Sequence, residues 1–294
     1  MPQGGLPGLA AMLLTSFKNA APRSGRITMD FLDARRVLIP VDFSRASRNA
    51  WAWAGELFDL DVRKESFFVA ERPSIPSFDL PAPATAGVNK RKVAARLKTL
   101  YPGSTPRVLE GDPSALIVRE ARKADLVIMG THGRRGLERA VLGSVCETVM
   151  RDSPAPVLAV KDGPRGVESV LAPVNLAPYS RKGLLLAAKA AAGLGATLTV
   201  LYVVADKKSG PNPKFFLNGM LALLPEKLRK AVSPRLLVRE GDPLREILAE
   251  SRKHGLLVLA AHRKSLLSDL VLGTTVERVL RHSPIPVLAA PSGR

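Results

Sequence analysis

The chain repeats itself. Gly111-Asp-Pro113 returns as Gly241-Asp-Pro243, Leu142-Gly143-Ser144 as Leu272-Gly273-Thr274, and Ser153-Pro-Ala-Pro156-Val-Leu as Ser283-Pro-Ile-Pro286-Val-Leu, each 130 residues later. Val37-Leu-Ile-Pro40-Val-Asp42 returns as Val170-Leu-Ala-Pro173-Val-Asn175, and Phe67-Phe-Val-Ala70 as Leu201-Tyr-Val-Val204. Markers kept in one order at near-constant spacing mean that a whole domain was duplicated, not a short solenoid unit. A length of 294 residues suits two domains. The expected division is an extension over 1–33, a first domain over 34–162 and a second over 167–294.

Within the first copy, buried runs alternate with helical spacers. Arg36-Val-Leu-Ile-Pro-Val-Asp42 reads as a fully buried strand that ends at Asp42, and Ser44 caps the helix that follows. Ser66–Ala70 and Arg107–Glu110 read as the second and third strands, with a basic helix over Lys90–Leu100 between them and a helix over Ser114–Ala121 after them. The fourth strand starts at Asp125, and the fifth is Val157–Val160 after its prolines. This βαβ alternation predicts an α/β fold: two tandem, doubly wound, Rossmann-like parallel sheets of five strands each. Ligands of such sheets lie at strand carboxyl ends, where the strand order reverses.

One stretch fits that place. Leu126-Val-Ile-Met129-Gly130 is a buried strand that breaks into the basic, glycine-rich loop Thr131-His132-Gly133-Arg-Arg-Gly136, and a helix opens at Gly143-Ser144. Glycine permits close approach and positive φ, so backbone N–H groups and a helix N-terminus can converge on a phosphate. Asp42 stands at another strand end, either as a helix cap or as a ligand contact. His132 is either a ligand contact or an exposed loop residue. Arg134, Arg135 and Arg139 either steer phosphates or form a solvated face.

Composition narrows the remaining choices. The formal charge of +18, from 44 Lys+Arg against 26 Asp+Glu, favours anionic partners such as nucleotides or nucleic acid. Lys90-Arg-Lys92, Lys227 and Arg229-Lys230 are candidate nucleic-acid contacts, but aromatic residues are only 5% and no recognition motif accompanies them. Cys146 is the one cysteine, which rules out a disulfide within the chain and suits a cytoplasmic setting. No run approaches the about 20 apolar residues of a membrane span, and Leu9–Leu14 lacks the basic flank of a secretory signal. Residues 1–33 read as a flexible tail, with a docking helix or targeting segment as the alternative. No metal-ligand spacing appears, and there is no P-loop lysine motif.

The pattern Gly130-x-x-Gly133, nine residues, then Gly143-Ser144 resembles the nucleotide-binding signature of the universal stress protein family. The Pro-Val-Asp strand end, the Gly-Asp-Pro turn and the Ser-Pro-x-Pro strand match that family's context. The resemblance covers about 35–161 and 168–291. It implies a regulatory, stress-response module that binds ATP, with or without Mg2+, in its first half and is at most a weak ATPase with no catalytic residue of its own. Pro40, Val41 and Asp42 fall where the family holds the adenosine end, and Val69 where second-strand backbone meets adenine. Met129, Gly130, His132 and Gly133 fall around ribose and phosphates, and Gly143, Ser144 and Val145 at the second phosphate contact. The second half departs from the pattern at Asn175, Ala260 and Arg263, so its loop is expected to be a solvated basic loop. The resemblance further implies that the two fifth strands pair, making the chain a pseudo-dimer, and leaves a homodimer open.

Overall fold

The computed structural model describes residues 31–71, 88–132, 142–205, 212–260, 263–266, 269–272 and 274–291. The Pro-rich connection at 73–83 and most of the extension lie outside them. The first half contains β1 (Arg36–Pro40), α1 (Arg45–Leu57), β2 (Arg63–Ala70), α2 (Lys90–Leu100), β3 (Thr105–Glu110), α3 (Pro113–Ala121), β4 (Leu126–Gly130), α4 (Ser144–Asp152) and β5 (Val157–Val160). The second contains β6 (Ser169–Val174), α5 (Ser180–Leu194), β7 (Thr197–Val204), α6 (Pro213–Ala222), α7 (Glu226–Val232), β8 (Arg235–Glu240), α8 (Pro243–Ser251) and β9 (Leu256–Ala260). It closes with β10 (Arg263–Leu266), β11 (Asp269–Leu272), α9 (Thr274–His282) and β12 (Val287–Ala290).

The two five-stranded sheets join into one through their fifth strands, the pairing that the family resemblance implies. The strand order is β3-β2-β1-β4-β5-β12-β9-β6-β7-β8, ten strands in all. Each half is parallel, and the seam is an antiparallel pair between β5 and β12, with Val287 opposite Ala159, Leu288 opposite Leu158 and Ala289 opposite Val157. All eight seam residues are buried. The duplication therefore hides what would be an exposed hydrophobic edge in either half alone.

Alternation along the strands feeds two cores, one on each face of the sheet. Val37 and Ile39 share a core with Ala50, Trp53 and Ala54 of α1 and Leu97 of α2, and the same core runs on into α5, α6 and α7. Leu38 faces the other way, into a core with Ile117 of α3, Val149 of α4, Ile247 of α8 and Val279 of α9. Both cores span both halves.

The duplicated sequence markers are duplicated physical devices. Gly111 (φ 146°) and Gly241 (φ 133°) adopt a backbone that favours glycine, and their N–H groups bond back to Ala70 and Val204 at the ends of β2 and β7. The next residue caps a helix: Asp112 Oδ1 accepts from Ala115 N at 2.7 Å and Asp242 Oδ1 from Arg245 N at 2.9 Å. Proline then occupies the first helical turn, where its missing N–H costs nothing. Ser153 Oγ donates to Ala155 O at 2.7 Å and Ser283 Oγ to Ile285 O at 2.8 Å, which turns α4 and α9 into the seam strands.

Three elements differ from expectation. β2 begins at Arg63, before the apolar run that marks it in the sequence, because the fully buried Glu65 continues the strand through ion pairs. Its carboxylate lies 3.0 Å from Arg36, 2.8 Å from Arg63 and 3.4 Å from Arg107. The segment expected as a loop in the second half is an antiparallel ribbon, β10 with β11, with Arg263 opposite Leu272 and Leu266 opposite Asp269. Leu270-Val-Leu272 supplies residues that suit a strand, and Ala260 and Arg263 stand where glycines would have loosened the backbone. Lastly, the end of the extension is ordered: Phe31–Asp33 form a short 3-10 turn, and Asp33 pairs with Lys189 of α5 at 3.3 Å.

Arg107 joins two buried carboxylates, with Glu120 at 2.7 Å and Glu65 at 3.4 Å. Burial alone would raise the Glu120 carboxyl, but the Arg107 hydrogen bond and charge hold it below its ordinary 4.5. That contribution to stability is present above about pH 4.5 and is lost as pH falls through the lower folded value. Removing one partner of a buried pair typically costs about 3–5 kcal/mol. We expect Arg107→Met to lower the unfolding free energy measured by urea denaturation by an amount in that range, and adding Glu120→Gln to cost less than the sum of the separate changes.

Candidate functional site

The crevice lies between β1 and β4. They are neighbours, yet the helix after β1 covers one face of the sheet and the helix after β4 covers the other. The two chain paths diverge at the carboxyl ends and leave the opening at which α/β sheets take ligands. At the β1 end are Pro40 and Val41, both buried, then the half-buried Asp42. Val69 is half-buried near the end of β2, and Met129 and Gly130 end β4. Thr131 and His132 follow, while Gly133 and the arginines at 134, 135 and 139 lie outside the described residues.

The chain returns at Gly143. Its N–H bonds to Thr131 O at 2.8 Å, so the loop is closed at its base on the end of β4. Gly143 is also the N-cap of α4, and no side chain caps this helix. The N–H groups of its first turn belong to Ser144, Val145 and Cys146, and no capping side chain consumes them. That turn carries the positive end of the helix dipole, and Ser144 is exposed there.

Asp42 takes part in the helix start, the first of its two sequence readings. Its Oδ1 accepts from Ser44 N at 3.0 Å, which makes a tight turn into α1, and Ser44 Oγ in turn caps the helix by accepting from Ser47 N at 3.1 Å. The carboxylate stands at the crevice while doing so. Beside it Phe43 adopts φ 66°, a left-handed backbone unusual for an aromatic residue. Phe43 is held by Arg48, whose Nη1 donates to Phe43 O at 2.9 Å. The Phe68 ring lies 5.1 Å away and the Arg96 guanidinium sits 4.2 Å over the Phe43 ring. The sequence carries no signal for this backbone strain.

His132 is fixed by Thr131 Oγ1, 2.7 Å from its Nδ1. Its Nε2 is buried without a hydrogen-bond partner among the described residues. Burial first, and the Lys161 ammonium second, push its pKa below 6.5 and keep the ring neutral. A neutral imidazole paired at one nitrogen has one donor or acceptor to offer a ligand, depending on tautomer. Thr131 and Lys161 were not marked by the sequence reading, since neither belongs to the glycine pattern. Among the described residues no three His, Cys, Asp or Glu side chains gather as a metal site. No helix among them is long and apolar enough to cross a membrane. Cys146 is buried behind the first turn of α4, and burial pushes its thiol up to about 12, as expected of a small core residue.

Comparison with known proteins gives one answer. The family model for the universal stress protein family matches residues 34–161 and again 166–291. The chain belongs to the universal stress protein family. Among curated relatives, universal stress protein MJ0531 of Methanocaldococcus jannaschii is 54% identical over 56 residues, 18% of this chain and 33% of that protein. Universal stress protein Rv2005c of Mycobacterium tuberculosis is 24% identical over 194 residues, 60% of this chain and 65% of that protein. The chain thus spans less than two thirds of the length of either relative. A universal stress protein structure from Archaeoglobus fulgidus superposes with a TM-score of 0.67 at 20% identity, covering 88% of this chain and 99% of that one. One from Pseudomonas aeruginosa gives 0.59 at 17% identity, covering 89% and 94%. These likenesses establish the fold, two family repeats in one chain.

The second repeat shows what the family frame tolerates. Asn175 keeps the turn of Asp42, with its Oδ1 accepting from Ala177 N at 3.0 Å. Its amide is engaged further within the turn: Ser180 Oγ donates to Oδ1 at 2.6 Å and one Nδ2 hydrogen goes to Tyr179 OH at 3.2 Å. The glycine at the end of β4 has a different cause from the one the sequence suggests. Gly130 does not adopt positive φ. A Cβ on it would lie 2.6 Å from Ala46 Cβ and 2.8 Å from the Ala46 carbonyl carbon, so glycine is needed because α1 crosses there at close range. In the second repeat the strand residue is Ala260, and the glycine has moved to the helix: a Cβ on Gly183 would lie 3.0 Å from Ala260 Cβ. Ala260 is therefore accommodated by packing and does not obstruct a left-handed turn.

Two outcomes are expected. Gly130→Ala should destabilise the chain by about 1–3 kcal/mol, as overpacking does. Ala46→Gly, added to it, should recover part of that loss in a urea double-mutant cycle, since it recreates the arrangement of the second repeat. Because His132 is held neutral when folded, its contribution to stability is complete above pH 6.5 and declines as pH falls below that value, where the unfolded chain takes up the proton. His132→Gln should flatten part of the loss of thermal stability measured from pH 7 to pH 5.

Proposed function

We propose that the chain binds ATP, with or without Mg2+, in the crevice of its first repeat, and that the bound nucleotide biases a surface read by a partner in the stress response. The observation that carries this reading is the α4 N-terminus. A helix start without a side-chain cap opens beside the end of β4 at the strand-order reversal, on a loop tied at its base by Gly143 N to Thr131 O. Such a start offers backbone N–H groups and a positive dipole to an anion. Asp42, at the β1 end of the same crevice, offers a carboxylate to the hydroxyls of a ribose, and Val69 offers backbone from β2 to a base. Pro40, Val41 and Met129 form the apolar floor, while His132, Ser144 and Val145 face the phosphate end, to which the family pattern also assigns Gly133. The same family resemblance that marks these positions supports ATP among nucleotides. A single buried cysteine suits work in the cytoplasm.

In the second repeat both acceptor sites of Asn175 Oδ1 are used within its own turn, and the ribbon β10–β11 replaces the loop. The reading is one nucleotide per chain.

Calorimetry should give one ATP per chain. Asp42→Ala and Ser144→Ala should each weaken ATP by about tenfold, the loss of one charged hydrogen bond. Asn175→Ala should leave affinity unchanged. Equal affinity in the wild type and both first-repeat variants would refute the site. Gly130 is unsuitable for this test, because its substitution displaces α1 whatever the ligand does.

A further inference from the structure

Lys161 is the first residue after β5, between the two repeats in sequence. Its surroundings come from three directions. Its carbonyl accepts from Asn49 Nδ2 of α1 at 2.8 Å, and the next carbonyl, Asp162 O, accepts from Trp53 Nε1 of the same helix at 2.9 Å. The preceding carbonyl, Val160 O, accepts from Thr131 N at 3.0 Å, so the segment lies against the base of the crevice loop. The side chain crosses to the other repeat. Its ammonium donates to Arg281 O at 3.1 Å and to Ser283 O at 2.9 Å, at the carboxyl end of α9. Carbonyls at that end carry the negative end of the helix dipole and are suited to a cation.

We propose that Lys161, held by the end of α9, is a fixed positive charge at the phosphate end of the first-repeat crevice, so that the second repeat completes the site of the first. The proposal rests on the nucleotide reading above and adds a residue and a repeat to it. Two of the three donors of an ammonium are used by α9, which leaves one. Two backbone acceptors without charge of their own anchor the cation without neutralising it, unlike a carboxylate partner. The charged groups around it are Asp162 on its own segment, His132 at the end of β4, and Arg281 of α9, whose guanidinium is taken up by Glu277 at 3.0 Å. Lys161 and the residues that lead into His132 leave paired strand ends, with Gly130 opposite Val160 and Thr131 N bonded to Val160 O, and the ammonium correspondingly acts to lower the His132 pKa. Burial of the ammonium lowers its own pKa, with Asp162 acting against that shift.

The arrangement is one-sided. The residue at the same place in the second repeat, 130 positions later, is Pro291, which has no side-chain donor. The repeat that keeps Gly130 and Asp42 is thus the one that keeps the lysine, and the repeat that lost them supplies the helix end that holds it. A charge in this position acts on phosphates and leaves the nucleoside alone, which separates it from a residue that only maintains the fold.

The test compares the full-length wild type with Lys161→Met and Lys161→Arg, each checked for folding by circular dichroism and thermal melting. Calorimetry is run with adenosine, AMP and ATP. Lys161→Met should weaken ATP by about tenfold and AMP by less, and leave adenosine unchanged, while Lys161→Arg stays within about threefold of wild type. In parallel, NMR titration of the four histidines, with His132 assigned from a His132→Gln spectrum, should show its pKa rising in Lys161→Met and unmoved in Lys161→Arg. ATP affinity equal in wild type and Lys161→Met overturns the proposal, and so does a loss shared equally by adenosine and ATP, which marks a packing role. A His132 titration unmoved by Lys161→Met overturns it as well. A wild-type chain that binds no nucleotide overturns the nucleotide reading and this proposal together, and is distinguished from the other outcomes by the wild-type titration alone.

Discussion

The antiparallel pairing of β5 with β12 is the contact on which the rest of the molecule depends. Four residues from each strand, all buried, turn two parallel sheets into one of ten strands. A lone repeat would present Val157–Val160 as an unpaired apolar edge, which invites association. Joining the repeats makes that association intramolecular and permanent. It also makes both cores continuous, since each runs from one repeat into the other across a face of the sheet. The turn at Phe31–Asp33, packed on the far repeat through Lys189, and Lys161, anchored on α9, are possible only because the seam sets the two repeats in one register.

Within that frame the repeats have diverged at constant volume. One methyl group is allowed between the first helix and the fourth strand of each repeat. The first repeat places it on the helix, at Ala46, and the second on the strand, at Ala260. The exchange leaves packing satisfied in both, as close-packed interiors require. Its consequence is unequal. A glycine at the strand end stands at the mouth of the crevice, and a glycine within α5 does not. The buried carboxylates show the same economy. Glu120 and Glu250 hold matching places in α3 and α8, each surrounded by cations, but only the first repeat adds Glu65 to the network through Arg107.

Much of this was legible in the sequence, because the signals were local. The Gly-Asp-Pro turns carry their own mechanism: a glycine backbone, an aspartate cap and a proline whose missing N–H is harmless. The buried runs of β1 and β4 announce a parallel sheet, and their ends mark the crevice. What was misread depended on neighbours distant in sequence. Gly130 looks like a residue chosen for backbone freedom, and its reason is Ala46, 84 positions earlier in the chain. Glu65 looks like the residue before a strand, and three arginines from three strands bring it inside. The ribbon β10–β11 was expected as a loop, because a degenerate glycine pattern says what a segment has lost and not what it will form. For α6 the signal was available in Asn212-Pro213, a cap followed by proline, ahead of an apolar run.

By itself the sequence determined the duplication, the strand and helix order of the first repeat, the family and the positions at which a nucleotide would be sought. Those follow from periodicity, turn chemistry and repeated markers, all of which act over a few residues. Only the tertiary structure decided the register of the seam, that Gly130 serves packing, that Phe43 is held in a left-handed backbone, and that Lys161 of one repeat lies in the grip of the other. These depend on which atoms meet after folding. A side chain meeting a backbone more than a hundred residues away leaves no periodicity to read.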